Sequence, residues 1–156
     1  MIGLVVRRLG RADEAALRAV NRLFAEVFED PETYGAAQPD GAYLTRLLGR
    51  EEFVALVAEV RGEVVGALVA YELEKFEQER SEFYIYDLGV DEAARRQGVA
   101  SQLIAHLGAI ARNRGSDVVF VQADLDDPPA HALYAKLGEG RSVLHFEINV
   151  TPPPAV

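Results

Sequence analysis

Cysteine is absent from the 156-residue chain. That excludes a disulfide framework, a thiolate zinc site, an iron–sulfur cluster and a cysteine nucleophile. Histidine is scarce: His106, His131 and His145 lie far apart, and no HExxH pair occurs, so a metal centre is not expected. Bases are outnumbered, with 16 Lys and Arg against 25 Asp and Glu, for a formal net charge of −9. Nucleic acid would be repelled by such a surface, and a polycation drawn to it. Long apolar runs are missing too; none approaches the roughly 18 residues that a membrane span needs. The opening residues, MIGLVVRRLG, show no charged leader before an apolar stretch and no small-residue cleavage site. A cytoplasmic protein is expected, with neither membrane nor nucleic acid as partner.

What is present is the balance of a soluble domain, with 49% hydrophobic and 26% charged residues. The length suits one domain, expected over residues 1–150, and a Pro-rich tail follows at 151–156. Ile2–Arg8 reads as a strand. Asp13 is placed to cap a helix in which Leu17, Val20, Phe24, Val27 and Phe28 recur at helical spacing. The Asp30–Gly35 stretch breaks it, and Asp40 caps a shorter helix that Gly49 ends. Phe53–Val60 and Glu63–Leu73 read as two strands covered on both faces and joined by Arg61-Gly62.

Phe83–Val90 is the next strand, followed by a long helix marked by Val99, Leu103, Leu107 and Ile110. Asp117–Gln122 reads as a buried strand, Pro129–Leu137 as a helix opened by Asp127-Pro128, and Leu144–Val150 as a half-buried strand by alternation. The order β-α-α-β-β-β-α-β-α-β implies an α/β protein, with a mixed sheet and helices on both faces.

The first chemical signal is Arg95-Arg96-Gln97-Gly98-Val99-Ala100, between a strand and the start of the long helix. Helix N-termini carry unpaired N–H groups and a positive dipole end, which suit a pyrophosphate. Gly98 removes a Cβ from the approach, Ala100 is small, and two arginines bring positive charge to an acidic protein. Alone, the pattern is weak and reads more readily as an arginine-containing surface loop before a capped helix. It is neither a P-loop nor a dinucleotide fingerprint.

Downstream stands Leu133-Tyr134-Ala135-Lys136-Leu137-Gly138. Together, Arg95/Gly98/Ala100 and this element resemble the two motifs of the GNAT superfamily of acetyl-CoA-dependent N-acetyltransferases. The stretches Ala67–Tyr71, Lys75–Gln78, Arg80–Glu82, Tyr84–Leu88, Val121–Asp124, Gln38–Asp40 and His145-Phe146 are similar to the aminoglycoside 3-N-acetyltransferases of GNAT type, the gentamicin-resistance group. Two positions depart from the superfamily pattern: Asp127 stands where asparagine is common, and Glu139 where an aromatic often follows Leu-Gly.

The resemblance implies acetyl-CoA as cosubstrate, no metal, a cationic aminoglycoside as acceptor and a homodimer. It implies a cofactor site of Leu88, Gly89 and Val90 on the strand and Arg95, Arg96, Gln97, Gly98, Val99, Ala100 and Ser101 in the loop and first helical turn. Tyr134 is the candidate general acid, since a phenol keeps its proton at neutral pH and can give it to a leaving thiolate. Asp87 interrupts an apolar strand, where a buried carboxylate is costly without a partner. A cationic amine is such a partner, and the resemblance implies that this aspartate lies beside the acceptor amine, to orient it or accept its proton. Asp124 and Asp127, with Glu79 and Glu82, are candidate rim carboxylates for the acceptor. Asp126 reads as a solvated turn residue, and Glu29, Asp30 and Glu32 as a possible acidic wall. A polyamine acetyltransferase and a non-catalytic acetyl-CoA-binding module are the alternatives.

Overall fold

A computed structural model describes residues 3–151. The chain divides into two compact units, residues 1–122 and residues 123–156. The first holds β1 (Leu4–Arg8), α1 (Glu14–Val27), α2 (Pro31–Gly35), α3 (Gly41–Leu48), β2 (Phe53–Val60), β3 (Glu63–Lys75), β4 (Arg80–Val90), a 3₁₀ turn (Glu92–Ala94), α4 (Val99–Asn113) and β5 (Val119–Val121). The second holds α5 (Pro128–Tyr134). Among the described residues, no helix is long and apolar enough to cross a membrane.

The strands form one sheet in the order β1-β2-β3-β4-β5. The first four pair antiparallel, and β4 pairs with β5 in parallel. Period-two alternation along β2 explains the two cores. Val54, Leu56 and Ala58 pack with Leu68, Ala70, Phe83 and Ile85 against Val99, Leu103, Leu107 and Ala111 of α4. Phe53, Ala55 and Val57 pack on the other face with Ala67 against Leu17, Val20, Leu23 and Phe24 of α1 and Leu44 and Leu48 of α3. A mixed sheet with helices on both faces is what the element order implied.

Several expectations need correction. The first strand begins at Leu4, and Ile2 lies outside the described residues. Asp13 stands at the start of α1 but does not cap it with its side chain. It accepts instead from the Gly10 N–H at 2.7 Å and the Arg7 guanidinium at 2.9 Å. Asp30–Gly35 does end α1, but it forms its own short helix because the Asp30 carboxylate accepts from the Thr33 N–H. Asp40 caps α3 as expected, accepting from the Tyr43 N–H.

The strand read as Asp117–Gln122 is only three residues long and half-open, with Phe120 at its surface. The helix read as Pro129–Leu137 spans Pro128–Tyr134. Residues 139–150 adopt no regular structure and are exposed, Leu144, Phe146, Ile148 and Val150 included, so the expected final strand is not formed. Alternation assigns faces to a strand, but only a neighbouring ladder makes the segment a strand.

Candidate active site

The parallel β4–β5 ladder runs only from Phe83 to Ile85. From Tyr86 to Val90, β4 pairs with β3 alone, so backbone groups facing away from β3 have no ladder partner among the described residues. The antiparallel register slips in the same place: Val69 lies opposite Asp87 and Ala70 opposite Ile85, which leaves Tyr86 as an extra residue. Such a bulge puts two consecutive side chains on one face and bends the strand.

Asp87 lies at this bulge. Its Oδ1 accepts a 2.8 Å hydrogen bond from the Tyr34 hydroxyl on α2. Burial raises the Asp87 carboxyl above the ordinary aspartate value, and the Tyr34 bond acts in the opposite sense by favouring the charged form. The Tyr34 phenol is itself pushed up, first by burial and then by its bond to Asp87. Tyr34 is held in place by the rings of Phe24 and Phe28, each 5.6 Å away by centroid. Nothing local in the sequence marks Tyr34; only the fold brings it to Asp87.

Leu88, Gly89 and Val90 continue β4. Leu88 and Val90 pack against the α4-side core, and Gly89 is buried beneath α1. A Cβ on Gly89 would stand 2.7 Å from Val27 and 3.1 Å from Phe24, so close packing of α1 on the sheet requires glycine there. These three residues therefore offer a ligand their backbone.

The loop into α4 has the shape of an anion cradle. Gly98 has φ +81° and Arg96 φ +58°, and a Cβ built at Gly98 would meet no atom within 4 Å. The first α4 bond comes from Gln102 N–H to the Gly98 carbonyl at 3.0 Å, and no side chain caps the helix. The amides of Val99, Ala100 and Ser101 are therefore available to an anion. The Val99 side chain is buried in the core, so this residue too can meet a ligand only through its backbone. Arg95 donates from Nε to the Val90 carbonyl at 3.1 Å, tying the loop to the end of β4. Gln97 donates to the Ala93 carbonyl, while Arg96 and Ser101 are exposed. A phosphate-bearing ligand with an extended arm fits this pairing of open amides with an open strand edge.

Tyr134 closes α5 and is half-buried. Burial raises its phenol above the ordinary value, and the nearby charge of Asp127 adds to the rise, so it is protonated at neutral pH. Asp127 caps α5, accepting from the Ala130 N–H at 3.1 Å. Asp124 is exposed, and its carbonyl oxygen contacts Nε2 of His131 at 2.7 Å, which makes His131 a brace for this turn. Glu82 is already paired with Arg80 at 2.7 Å, and Glu79 is exposed in the β3–β4 turn. His145 lies in the irregular segment near Glu147. Among the described residues, no group of His, Asp or Glu could hold a metal ion.

The Acetyltransferase (GNAT) family model matches residues 17–138, spanning the bulged strand, the α4 loop and Tyr134. The chain belongs to the GNAT acetyltransferase family. Acetyltransferases of this family use acetyl-CoA as cosubstrate. Among solved structures, an aminoglycoside acetyltransferase, HMB0005, from an uncultured soil metagenomic sample is 50% identical with a TM-score of 0.94, over 96% of this chain and 100% of that one. The aminoglycoside acetyltransferase meta-AAC0020, also from an uncultured soil sample and solved with sisomicin, is 32% identical with a TM-score of 0.89, over 96% of this chain and 97% of its own. The Bacillus subtilis N-acetyltransferase YhfO, itself uncharacterized, is 24% identical over 93% of this chain and 97% of its own length.

Proposed function

We propose that this GNAT acetyltransferase transfers the acetyl group of acetyl-CoA to the 3-amino group of a gentamicin-like aminoglycoside, and so confers resistance. One observation carries the reading: Asp87 is a half-buried carboxylate with raised proton affinity at the β4 bulge. A cationic amine is the partner that relieves its desolvation. The half-identical aminoglycoside acetyltransferase and the sisomicin-bound neighbour support the choice of acceptor.

Bound acetyl-CoA supplies the activated acetyl thioester. The amides of Gly98–Ser101 and the charge of Arg96 hold its pyrophosphate, and the open backbone edge of Leu88–Val90 holds its arm. A backbone N–H of that segment stabilises negative charge on the thioester oxygen. Asp87 binds the acceptor ammonium and takes its proton, directly or through water, so that the neutral amine can attack. A new N–C bond forms as the C–S bond breaks, and Tyr134 gives its phenolic proton to the leaving sulfur. The second proton of the attacking nitrogen passes to the Tyr134 oxygen, directly or through water, which restores the phenol. Asp124, Asp127, Glu79 and Glu82 contribute negative potential for the remaining ammonium groups. In this proposal, residues 1–150 act as one acetyltransferase domain followed by the tail at 151–156, working as a cytoplasmic homodimer.

The test is incubation with acetyl-CoA and a panel of aminoglycosides and polyamines, with products identified by mass spectrometry and the modified nitrogen by NMR. A 3-N-acetylated aminoglycoside is expected. Polyamine acetylation with aminoglycosides untouched would overturn the reading, and so would transfer to a different amine of the drug.

A further inference from the structure

Beside Asp87 runs a continuous row of aromatic rings that the chemistry above does not use. It starts in the core at Phe53 of β2, which lies 5.5 Å by centroid from Tyr71 of β3. Tyr71 lies 6.0 Å from Tyr86, Tyr86 5.7 Å from Tyr84, and Tyr84 4.8 Å from Phe120 of β5. The row thus crosses four strands on the face that bears Asp87. The same bulge that positions Asp87 adds Tyr86 to the row, because it sets both side chains on one face.

The row runs from the core to the surface. Phe53 is buried, Tyr71 and Tyr84 are half-buried, Phe120 is 36% exposed and Tyr86 63% exposed. The exposed end is ordered. Tyr84 and Phe120 stack with an interplanar angle of 5°, and the Tyr84 hydroxyl donates to Oε1 of Gln122 at 2.9 Å. The Tyr86 hydroxyl has no hydrogen-bond partner among the described residues. The phenols of Tyr71 and Tyr84 are raised chiefly by burial and also feel the charges of Tyr86 and Asp87, which places the rings in one electrostatic neighbourhood with the carboxylate.

Exposed aromatic rings on a carboxylate-bearing strand match one ligand chemistry. The face of a tyrosine ring carries negative potential, which attracts an ammonium group and accepts the apolar C–H face of a sugar ring. We infer that Tyr86, Tyr84 and Phe120 form a seat for a second amino-sugar ring of the acceptor, whose first ring presents its amine to Asp87. This rests on the aminoglycoside reading above. It assigns part of the acceptor's affinity to ring faces in addition to carboxylates.

The experiment compares two acceptors, a multi-ring aminoglycoside and a single-ring fragment that carries only the reacting amine. Tyr86→Leu removes an exposed π face and leaves the core alone. It is expected to raise KM for the multi-ring acceptor about tenfold with kcat little changed. The fragment's kcat/KM is expected to stay within about twofold. Tyr86→Phe keeps the face and should behave as wild type with both acceptors. Phe120→Leu, at the far end of the stack, provides a second variant should Tyr86→Leu fold poorly, as checked by thermal melting. Equal losses on both acceptors, or none on either, would overturn the seat. If the wild-type enzyme acetylates no aminoglycoside, the functional reading itself fails and the seat falls with it. Turnover with an unchanged acceptor ratio in the variants defeats the seat alone.

Discussion

The hydroxyl of Tyr34 and the carboxylate of Asp87 meet at 2.8 Å across 53 positions of sequence. Burial pulls the carboxyl toward its neutral form, and this bond pulls it back toward the charged form. The pair therefore sets the pH at which the Asp87 carboxyl loses its proton.

Tyr34→Phe removes the stabilising donor and keeps the ring that packs on Phe24 and Phe28. The proton affinity of Asp87 must then rise further, because only the opposing influence has been lost. The acidic limb of the kcat/KM profile is expected to move to higher pH, with activity at the acidic end down several-fold and the alkaline plateau little changed. Steady-state kinetics across pH with saturating acetyl-CoA reads this. An unmoved limb would show that Asp87 does not titrate in the rate.

Asp87→Asn is close to isosteric and removes both the charge and the proton acceptor. It is expected to lower kcat/KM about 10²-fold, as removal of a general base does. Asp124→Asn, which removes only a rim charge, should cost far less. Parallel kinetics on the two variants decide the matter, and full activity in Asp87→Asn would make this residue a structural part of the bulge.

Tyr134→Phe deletes one hydroxyl from a half-buried ring. With only proton donation lost, kcat should fall about 10²-fold while coenzyme A affinity stays near wild type. Rapid-quench turnover and calorimetry separate the two quantities. A kcat near the wild-type value at neutral pH would rule out the general-acid role.

Gly98→Val tests the anion cradle. The backbone there has φ +81°, a region that β-branched residues resist, and the added side chain would enter the open space over the loop. Coenzyme A binding measured by calorimetry is expected to weaken at least about tenfold, with the fold retained by circular dichroism. Undiminished affinity in a folded variant would place the pyrophosphate elsewhere.

Asp13→Ala addresses stability rather than activity. The Gly10 N–H and the Arg7 guanidinium hold the Asp13 carboxyl below the usual aspartate range. A carboxyl depressed by folding contributes stability above its unfolded value, and the contribution is lost as pH falls through the lower folded value. The variant should be about 1 kcal/mol less stable near neutral pH, and the difference should shrink as the solution is acidified through that window. Urea titrations at several pH values measure it.

The elements legible in the sequence are those with local causes. The stripe from Leu17 to Phe24 builds α1, and the one from Val99 to Leu107 builds α4, because helical spacing needs only a face to bury. Asp40 and Asp127 cap their helices because each carboxylate stands three residues ahead of a free N–H and accepts from it. The mixed sheet and the loop at Gly98 follow from element order and one glycine in context.

Tertiary structure alone decided what depends on register. The slip opposite Ala70 turns Tyr86 and Asp87 to the same face, and a one-residue difference in pairing would have sent one of them to the other side. Tyr34 reaches Asp87 only because α2 folds back over the sheet, and Gly89 is demanded by Phe24 and Val27, which lie more than sixty positions away. The alternation at 144–150 was as clear to read as any strand, yet residues 139–150 are irregular. Alternation is a property of the segment, whereas a strand is a property of the segment and its neighbour, and the hydrogen bonds that make it are never written in one stretch of sequence.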